Sequence, residues 1–215
     1  MNYASSKDGA AQVVGQIVGD GGKAVAVKGD VSKAAEAKGV VDAAIKAFGR
    51  LDVLVNNSGV YEMAPLEELT EAQFHRQFDI NVLGVLLTTQ GRLAAPEGRG
   101  ERDQHLLGGD QPQPSGLGDL HRHQGGRWDS ITGVLANELG PRGIRVNAIN
   151  PGLVETEGTH AGRHHRLGLR GQRGDRHPAR PHRATGRHRG HRVFLASQDS
   201  RWLTGEHIVA SGGLR

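Results

Sequence analysis

The sequence contains no cysteine, and this absence excludes disulfide bonds and thiolate metal sites. A chain without cysteine suits a reducing cytosol, so the expected location is cytoplasmic. No apolar run approaches the roughly 18 residues that a membrane-spanning helix needs. The first residues, Met1 to Lys7, also lack the apolar stretch of a signal peptide. We therefore expect no membrane partner. The length of 215 residues suffices for one domain with a sizeable core.

Acidic residues are almost missing from residues 162–192, where ten arginines accompany a single acid, Asp175. This basic tract carries a net charge of +9, so the remaining residues sum to −5 within a total of +4. The high pI therefore comes from one tract, and nucleic-acid binding by the whole surface is not indicated. The tract also lacks aromatic residues for stacking on bases. A nucleic-acid partner is unlikely on this composition, although arginine-rich segments that bind RNA keep it open as an alternative.

Strand and helix patterns alternate regularly through residues 8–90 and 129–160. The predicted strands are Ala24–Val27, Asp52–Asn56 and Ile144–Ile149, and the predicted helices are Ala34–Phe48, Thr70–Thr89 and Asp129–Gly140. Alternation of this length favours an α/β fold, a doubly wound parallel sheet with right-handed crossovers. We expect the three strands to be parallel neighbours.

The most informative motif is a short apolar run that ends in Asn56-Asn57-Ser58-Gly59. Such a run indicates a buried parallel strand entering a tight loop, and ligands of these sheets lie beyond the carboxyl ends of the strands. Three more motifs follow one order along the chain: Gly29-Asp30-Val31-Ser32, Ile80-Asn81-Val82-Leu83-Gly84 and the segment from Arg145 to Thr156.

Together these four motifs resemble the short-chain dehydrogenase/reductase family, in particular its bacterial ketoacyl-reductase and glucose-dehydrogenase-like branch. The resemblance implies a Rossmann-like domain and an NAD(P)-dependent oxidoreductase that acts on a small carbonyl or alcohol substrate. It also implies a homo-oligomer, since the family usually assembles through its long helices. These helices correspond here to Thr70–Thr89 and to the helix that ends at Leu139.

The resemblance further implies which residues contact the cofactor. From its adenine end to its nicotinamide end these are Ser5, Lys7, Asp30, Val31, Asn56, Ser58, Gly59, Pro151, Gly152, Val154 and Thr156. The stretch Ser5-Ser6-Lys7, where the family's second strand ends, has no acidic residue for a ribose 2′-hydroxyl, whereas serine and lysine suit a 2′-phosphate, so NADP is favoured over NAD. Simpler roles stay open: Asn56 could cap a strand end, and Thr156 could cap a helix.

The family's catalytic residues are a serine, a tyrosine, a lysine and an asparagine, of which this sequence keeps only Asn81. In the family the tyrosine donates a proton to the carbonyl oxygen and the lysine lowers its pKa. Leu120 and His121 stand at the tyrosine position, and Gln124 and Gly125 at the lysine position. His121 is a weaker alternative acid, because imidazole has a suitable pKa. Asn81 could instead be a polar helix residue bonded to backbone.

Two segments, residues 91–128 and 162–192, do not fit the family pattern. They are rich in Gly, Arg, His, Gln and Pro, and we expect them to be irregular. Codons can be chosen for Leu120 to Trp128 that, when translated one nucleotide later, give Tyr-Thr-Ala-Thr-Lys-Ala-Ala-Val. This translation contains the family's Tyr-x-x-x-Lys motif. Our hypothesis is that two compensated frameshifts produced both segments.

The family's Thr-Gly-x-x-x-Gly-x-Gly loop, which binds the pyrophosphate, is also expected to be missing. It belongs to the first βα unit, about 30 residues, so the single domain of residues 1–215 is predicted to be incomplete. The chain as written is then expected to be inactive. A damaged gene product without function is the alternative to an enzyme.

Overall fold

The computed structural model describes residues 1–60, 62, 64–95, 104–109, 131–151 and 189–210, with only the backbone of residues 104–109. The chain divides into two compact units, Met1–Leu106 and Leu107–Arg215. No helix within the described ranges has both the length and the apolar character needed to cross a membrane.

In the first unit, strands and helices alternate. They are β1 Asn2–Tyr3, α1 Lys7–Gly19, β2 Val27–Lys28, α2 Ala34–Phe48, β3 Val53–Asn56, a 3-10 turn Leu66–Glu68, α3 Glu71–Phe78, a π-helical segment Asp79–Leu83 and α4 Gly84–Ala94. The end of α2 falls where Gly49 adopts φ 80°, the left-handed conformation that glycine takes without steric cost. The start of α3 is a capping box, in which Thr70 and Gln73 exchange side-chain to backbone hydrogen bonds.

The predicted helix Thr70–Thr89 is thus observed as three consecutive segments that continue to Ala94. The predicted strand Ala24–Val27 is shorter and later than expected, and it pairs in parallel with β1 through Asn2 opposite Val27 and Tyr3 opposite Lys28.

The expectation that the three predicted strands are parallel neighbours is wrong, because β2 and β3 belong to different sheets. Local pattern predicts that a segment is a strand but not which strand lies beside it, because parallel pairing joins residues that are far apart in sequence.

The second unit has its own alternating elements. After β4 Gln104–Gly109, which crosses the division between the units in sequence, they are α5 over residues 131–139, a 3-10 turn Gly140–Arg142, β5 Ile144–Pro151, α6 Arg189–Leu195, a 3-10 turn Gln198–Ser200 and β6 His207–Ala210. Strands β5 and β6 pair in parallel, with Ala148 opposite His207 and Pro151 opposite Ala210.

Parts of the two segments that were expected to be irregular, residues 91–128 and 162–192, form helix or strand. Residues 91–94 complete α4, residues 104–109 form β4, and residues 189–192 begin α6. Extended chain can be held by backbone hydrogen bonds alone, which composition does not reveal. The other residues of 91–128 and 162–192, apart from Ala95, lie outside the described residues.

Each unit buries a separate set of apolar residues. In the first, α2 packs closely on α4: a Cβ at Gly91 would lie 3.4 Å from the Lys38 Cα and 3.5 Å from the Val41 side chain. In the second, Leu139 and Leu195 are almost fully buried, and residues 144–149 of β5 are buried on both faces. A strand buried on both faces is what a covered parallel sheet requires.

Candidate functional site

The π-helical segment Asp79–Leu83 places Asn81 against the loop that follows β3. The Asn81 Oδ1 accepts from the backbone N–H of Val60, and its Nδ2 donates to the carbonyl of the same residue, both at 2.8 Å. Asn81 is buried, so these two bonds satisfy groups that would otherwise be costly to remove from water. The amide therefore fixes the backbone directly after the Asn56–Gly59 turn.

The next turns of the same helix hold two more predicted residues. A Cβ at Gly84 would lie 2.8 Å from the Val31 side chain, so only glycine permits this approach of α4 to Val31. One turn later, the Thr88 hydroxyl donates to the Asn56 Oδ1 at 2.7 Å. Residues four apart lie on one helix face, so Gly84 and Thr88 present a single surface to both loops.

Asp30 follows β2 and is held by its own turn. Its Oδ1 accepts from the Ser32 backbone N–H at 3.0 Å and from the Ser32 hydroxyl at 2.7 Å. Its Oδ2 lies 3.7 Å from the Lys33 Nζ, and its backbone N–H donates to Glu36 at 2.8 Å. The Ser32 hydroxyl is the largest cause that lowers the pKa of Asp30, which stays a carboxylate.

Two charged residues, Lys33 and Glu36, surround the Asp30 turn and affect each other's pKa. The hydrogen bond from the Asp30 backbone lowers the pKa of the Glu36 carboxyl, and Glu36 in turn raises the pKa of Lys33. Lys33 lies 3.3 Å from the Glu36 Oε1, so the turn carries two carboxylates and one ammonium group.

Ser5 and Lys7 follow the carboxyl end of β1, at the exposed start of α1. The Lys7 backbone N–H donates to the Ser5 carbonyl at 3.0 Å. Because β1 and β2 are parallel, Ser5, Lys7 and Asp30 lie at the same end of one sheet. A helix start also favours negative charge, which is compatible with a phosphate there.

Ser58 is exposed and Gly59 is half-buried in the turn after β3. Pro151 ends β5 in the second unit and is half-buried. Gly152, Val154 and Thr156 lie outside the described residues, as do Leu120, His121, Gln124 and Gly125. The structure therefore groups the predicted adenosine contacts in the first unit and describes only Pro151 of the predicted nicotinamide contacts.

Sequence reasoning missed Gly84 and Thr88 as partners of the predicted residues. The signal was their spacing: Asn81, Gly84 and Thr88 repeat at three and four residues along one helical stretch. It also passed over a Tyr-x-x-x-Lys pattern at Tyr3 and Lys7. Tyr3 lies in a strand and Lys7 begins a helix, so the pair does not share the helix face that the motif requires.

The described part of the chain contains no group of three His, Asp or Glu residues that could hold a metal ion. The chemistry of the described site is instead a carboxylate, side-chain amides, hydroxyls and one lysine ammonium at the ends of strands. These groups can bind hydrogen-bond donors and phosphates.

Two family profiles and an oxidoreductase of known sequence match this chain. The short chain dehydrogenase profile matches residues 1–101, and the enoyl-(acyl carrier protein) reductase profile matches residues 127–215. An uncharacterized oxidoreductase of Methylorubrum extorquens is 49% identical over 223 residues, covering 100% of this chain and 86% of that protein.

Two solved structures share the fold over nearly the whole chain. A mutant short-chain dehydrogenase/reductase of Serratia marcescens is 29% identical with a TM-score of 0.83. A blue fluorescent protein from a metagenomic library, solved in complex with NADPH, is 26% identical with a TM-score of 0.80. Each comparison covers 99% of this chain and 85% of the other chain.

Proposed function

Because the chain belongs to the short-chain dehydrogenase/reductase family of NAD(P)-dependent oxidoreductases, we propose that its first unit binds the adenosine half of NADP or NAD. One observation carries this proposal. A single helical stretch fixes two loops: Gly84 contacts Val31 after β2, and Asn81 and Thr88 bind Val60 and Asn56 at the end of β3. Such fixed loops at strand ends form the usual nucleotide crevice of a doubly wound sheet.

The residues present fit the adenosine half of the cofactor. The Oδ2 of Asp30 is available to accept from the adenine amino group, and the buried Val31 offers an apolar surface to the ring. Asn56, Ser58 and Gly59 line the ribose. Ser5 and Lys7 suit a 2′-phosphate, which favours NADP, and a structural relative with NADPH bound supports that preference.

When bound, the nicotinamide supplies a hydride to a small carbonyl substrate or accepts one from an alcohol. Asn81 holds the loop after β3 in place, because both the oxygen and the nitrogen of its amide are hydrogen-bonded to the Val60 backbone. The family's serine, tyrosine and lysine are not present at the corresponding positions, so the sequence lacks the phenol proton donor and the lysine that lowers its pKa. We infer that the 215-residue chain binds the cofactor weakly and does not reduce carbonyl substrates.

Titration of NADPH by fluorescence tests the binding proposal. We expect Asp30→Asn to weaken binding about tenfold, the order of one hydrogen bond to a charged group. Asp20→Asn is the matched control, because this exposed residue at the end of α1 lies outside the site. Equal binding by both variants would refute the role of Asp30.

Turnover is tested with NADPH and a panel of small aldehydes and ketones. General acid catalysis typically contributes about 10²–10⁴-fold, so its loss should leave oxidation of NADPH near the uncatalysed rate. Robust oxidation by this chain would contradict the proposal and direct attention to His121.

The frameshift hypothesis is a separate proposal about the two unusual segments. The gap between the two profile matches, residues 102–126, supports it for the first segment, whereas the second match runs across residues 162–192. The coding DNA decides: wobble bases that give no Tyr-x-x-x-Lys in the shifted frame would reject it.

We also propose a homo-oligomer, as the family resemblance implies. Leu83 and Leu86 are 40% and 39% exposed along the stretch that contains α4, and Val134 is 61% exposed on α5. Sedimentation velocity should give more than one protomer per particle. A monomer at micromolar concentration would contradict the proposal.

A further inference from the structure

The two oxygens of the Asp30 carboxylate are in different surroundings. Oδ1 accepts two hydrogen bonds, both from Ser32, whereas Oδ2 has only the Lys33 ammonium near it among the described residues, at 3.7 Å. The Asp30 side chain keeps about a third of its surface exposed, at 35%. A carboxylate has about four lone-pair positions, so Oδ2 retains capacity to accept from a ligand.

We propose that Ser32 is a positioning residue for adenine recognition, whose hydroxyl fixes Asp30 through Oδ1 and leaves Oδ2 to accept from the adenine amino group. The inference rests on the proposed nucleotide function and deepens it. Ser32 touches no cofactor itself, because it acts through Asp30.

The hydroxyl contributes something that the backbone bond alone does not. A single hydrogen bond to Oδ1 lets the carboxylate rotate about its last torsion, which is broad for aspartate. Two donors from the same residue restrict that rotation and reduce the entropy lost when a ligand binds. Oδ2 stays within ion-pair distance of the Lys33 ammonium, at 3.7 Å.

Neighbouring charges on α2 do not replace this function. Glu36 accepts from the Asp30 backbone and repels its carboxylate, and Lys33 lies nearer to Glu36 than to Asp30. Lys33 is the N-cap residue of α2 and Glu36 lies in its first turn, so Ser32 is the neutral group that orients Asp30.

The test compares Ser32→Ala with the conservative Ser32→Thr in the full chain. The first readout is the pKa of the Asp30 carboxyl, which is measured by carbon-13 NMR titration without any ligand. The second readout is the ratio of dissociation constants for AMP and IMP, because IMP carries a carbonyl oxygen where AMP has the amino group.

We expect Ser32→Ala to raise the Asp30 pKa and to reduce the preference for AMP over IMP about fivefold, of the order of one hydrogen bond. Ser32→Thr should restore both. A structural role alone would weaken AMP and IMP binding equally, and that result would overturn the proposal while leaving the nucleotide site intact.

Failure of the nucleotide function itself gives a different pattern. The unsubstituted chain would then show no preference for AMP over IMP, and Asp30→Asn would change nothing. That outcome also overturns the role of Ser32 in recognition, even if its hydroxyl still sets the Asp30 pKa.

Discussion

A buried asparagine in each unit makes the same pair of backbone hydrogen bonds, with different results. In the first unit Asn81 binds both polar groups of Val60, within a loop that the family motif assigns to the cofactor. In the second, Asn147 donates to the Leu203 carbonyl and accepts from the Glu206 N–H, fixing the chain that leads into β6. The side-chain chemistry is equal, so the loop that is held decides whether such an asparagine matters for function.

Buried arginines extend the comparison. Arg92 donates from its Nε to the Leu51 carbonyl at 2.8 Å, next to β3. Among the described residues, Arg145 donates to the carbonyls of Leu195, Ser197 and Leu203. Arg145 thus binds several carbonyls of its unit, whereas the Arg92 Nε binds one carbonyl next to β3.

The largest effect should follow from Arg145→Met. The substitution removes one hydrogen bond from each of three carbonyls, at about 1 kcal/mol for each lost bond. The carbonyls are not left unpaired, because Asn147 still donates to Leu203 and Ser200 to Leu195 and Ser197. We expect a loss of about 3 kcal/mol in the free energy of unfolding, measured by urea denaturation. Arg142→Met, at an exposed position three residues earlier, should change it by less than about 0.5 kcal/mol. Similar losses in both variants would contradict the role of the carbonyl contacts.

Replacing each asparagine by alanine separates stability from binding. Asn81→Ala and Asn147→Ala should each lower the free energy of unfolding by about 2 kcal/mol, because two backbone groups lose a buried partner. Only Asn81→Ala should weaken NADPH binding, since only Val60 adjoins the Asn56–Gly59 turn. The comparison fails if Asn147→Ala weakens NADPH binding as much as Asn81→Ala does.

Much of this comparison was open to sequence reasoning. The helix Ala34–Phe48 was predicted with its observed bounds, because Gly49 stops it and its apolar residues repeat at helical spacing. Strand β3 was predicted within one residue. The chemistry of the loops was visible too, since Asn56, Asn81 and Asp30 stand in recognisable motifs.

Contacts between distant residues were not predictable from periodicity. The bond from Thr88 to Asn56 joins residues 32 positions apart, and the π-helical segment leaves no clear mark in composition. Arg145 has no acidic neighbour in sequence, so its three carbonyl partners could not be inferred. The placement of β2 and β3 in different sheets depends on pairing between distant residues, and local pattern does not report that.

Two adjacent threonines on α4 sharpen the comparison further. Both are buried, yet Thr88 donates to Asn56 while the Thr89 hydroxyl has no hydrogen-bond partner among the described residues. Thr88→Val should cost about 1 kcal/mol, whereas Thr89→Val should be neutral or stabilising, because it removes an unpaired hydroxyl. Thermal unfolding of the two variants checks this, and equal shifts would show that the Thr88 hydroxyl contributes nothing, either through Asn56 or through the Gly84 carbonyl 2.8 Å away.

The smallest effect concerns pH. The folded pKa values of Asp30 and Glu36 lie below their usual values of about 3.9 and 4.3. Their contribution to stability is therefore complete above those values and is lost as pH falls through the lower folded pKa values. The stability difference between the unsubstituted chain and Asp30→Asn/Glu36→Gln should shrink between pH 6 and pH 3 in urea denaturation. A difference that stays constant with pH would argue against the ionic role.

The π-helical segment also sets the phase of everything after it. One extra residue in a turn rotates the following helix by about 100° relative to the preceding one. No single helical wheel can therefore describe residues 71–94, and α3 and α4 have to be plotted as two wheels. Deleting one residue from Asp79–Leu83 would turn Gly84 and Thr88 away from the loops while keeping the composition of the helix almost unchanged. A change in length of one residue would then change which side chains of α4 face the loops after β2 and β3.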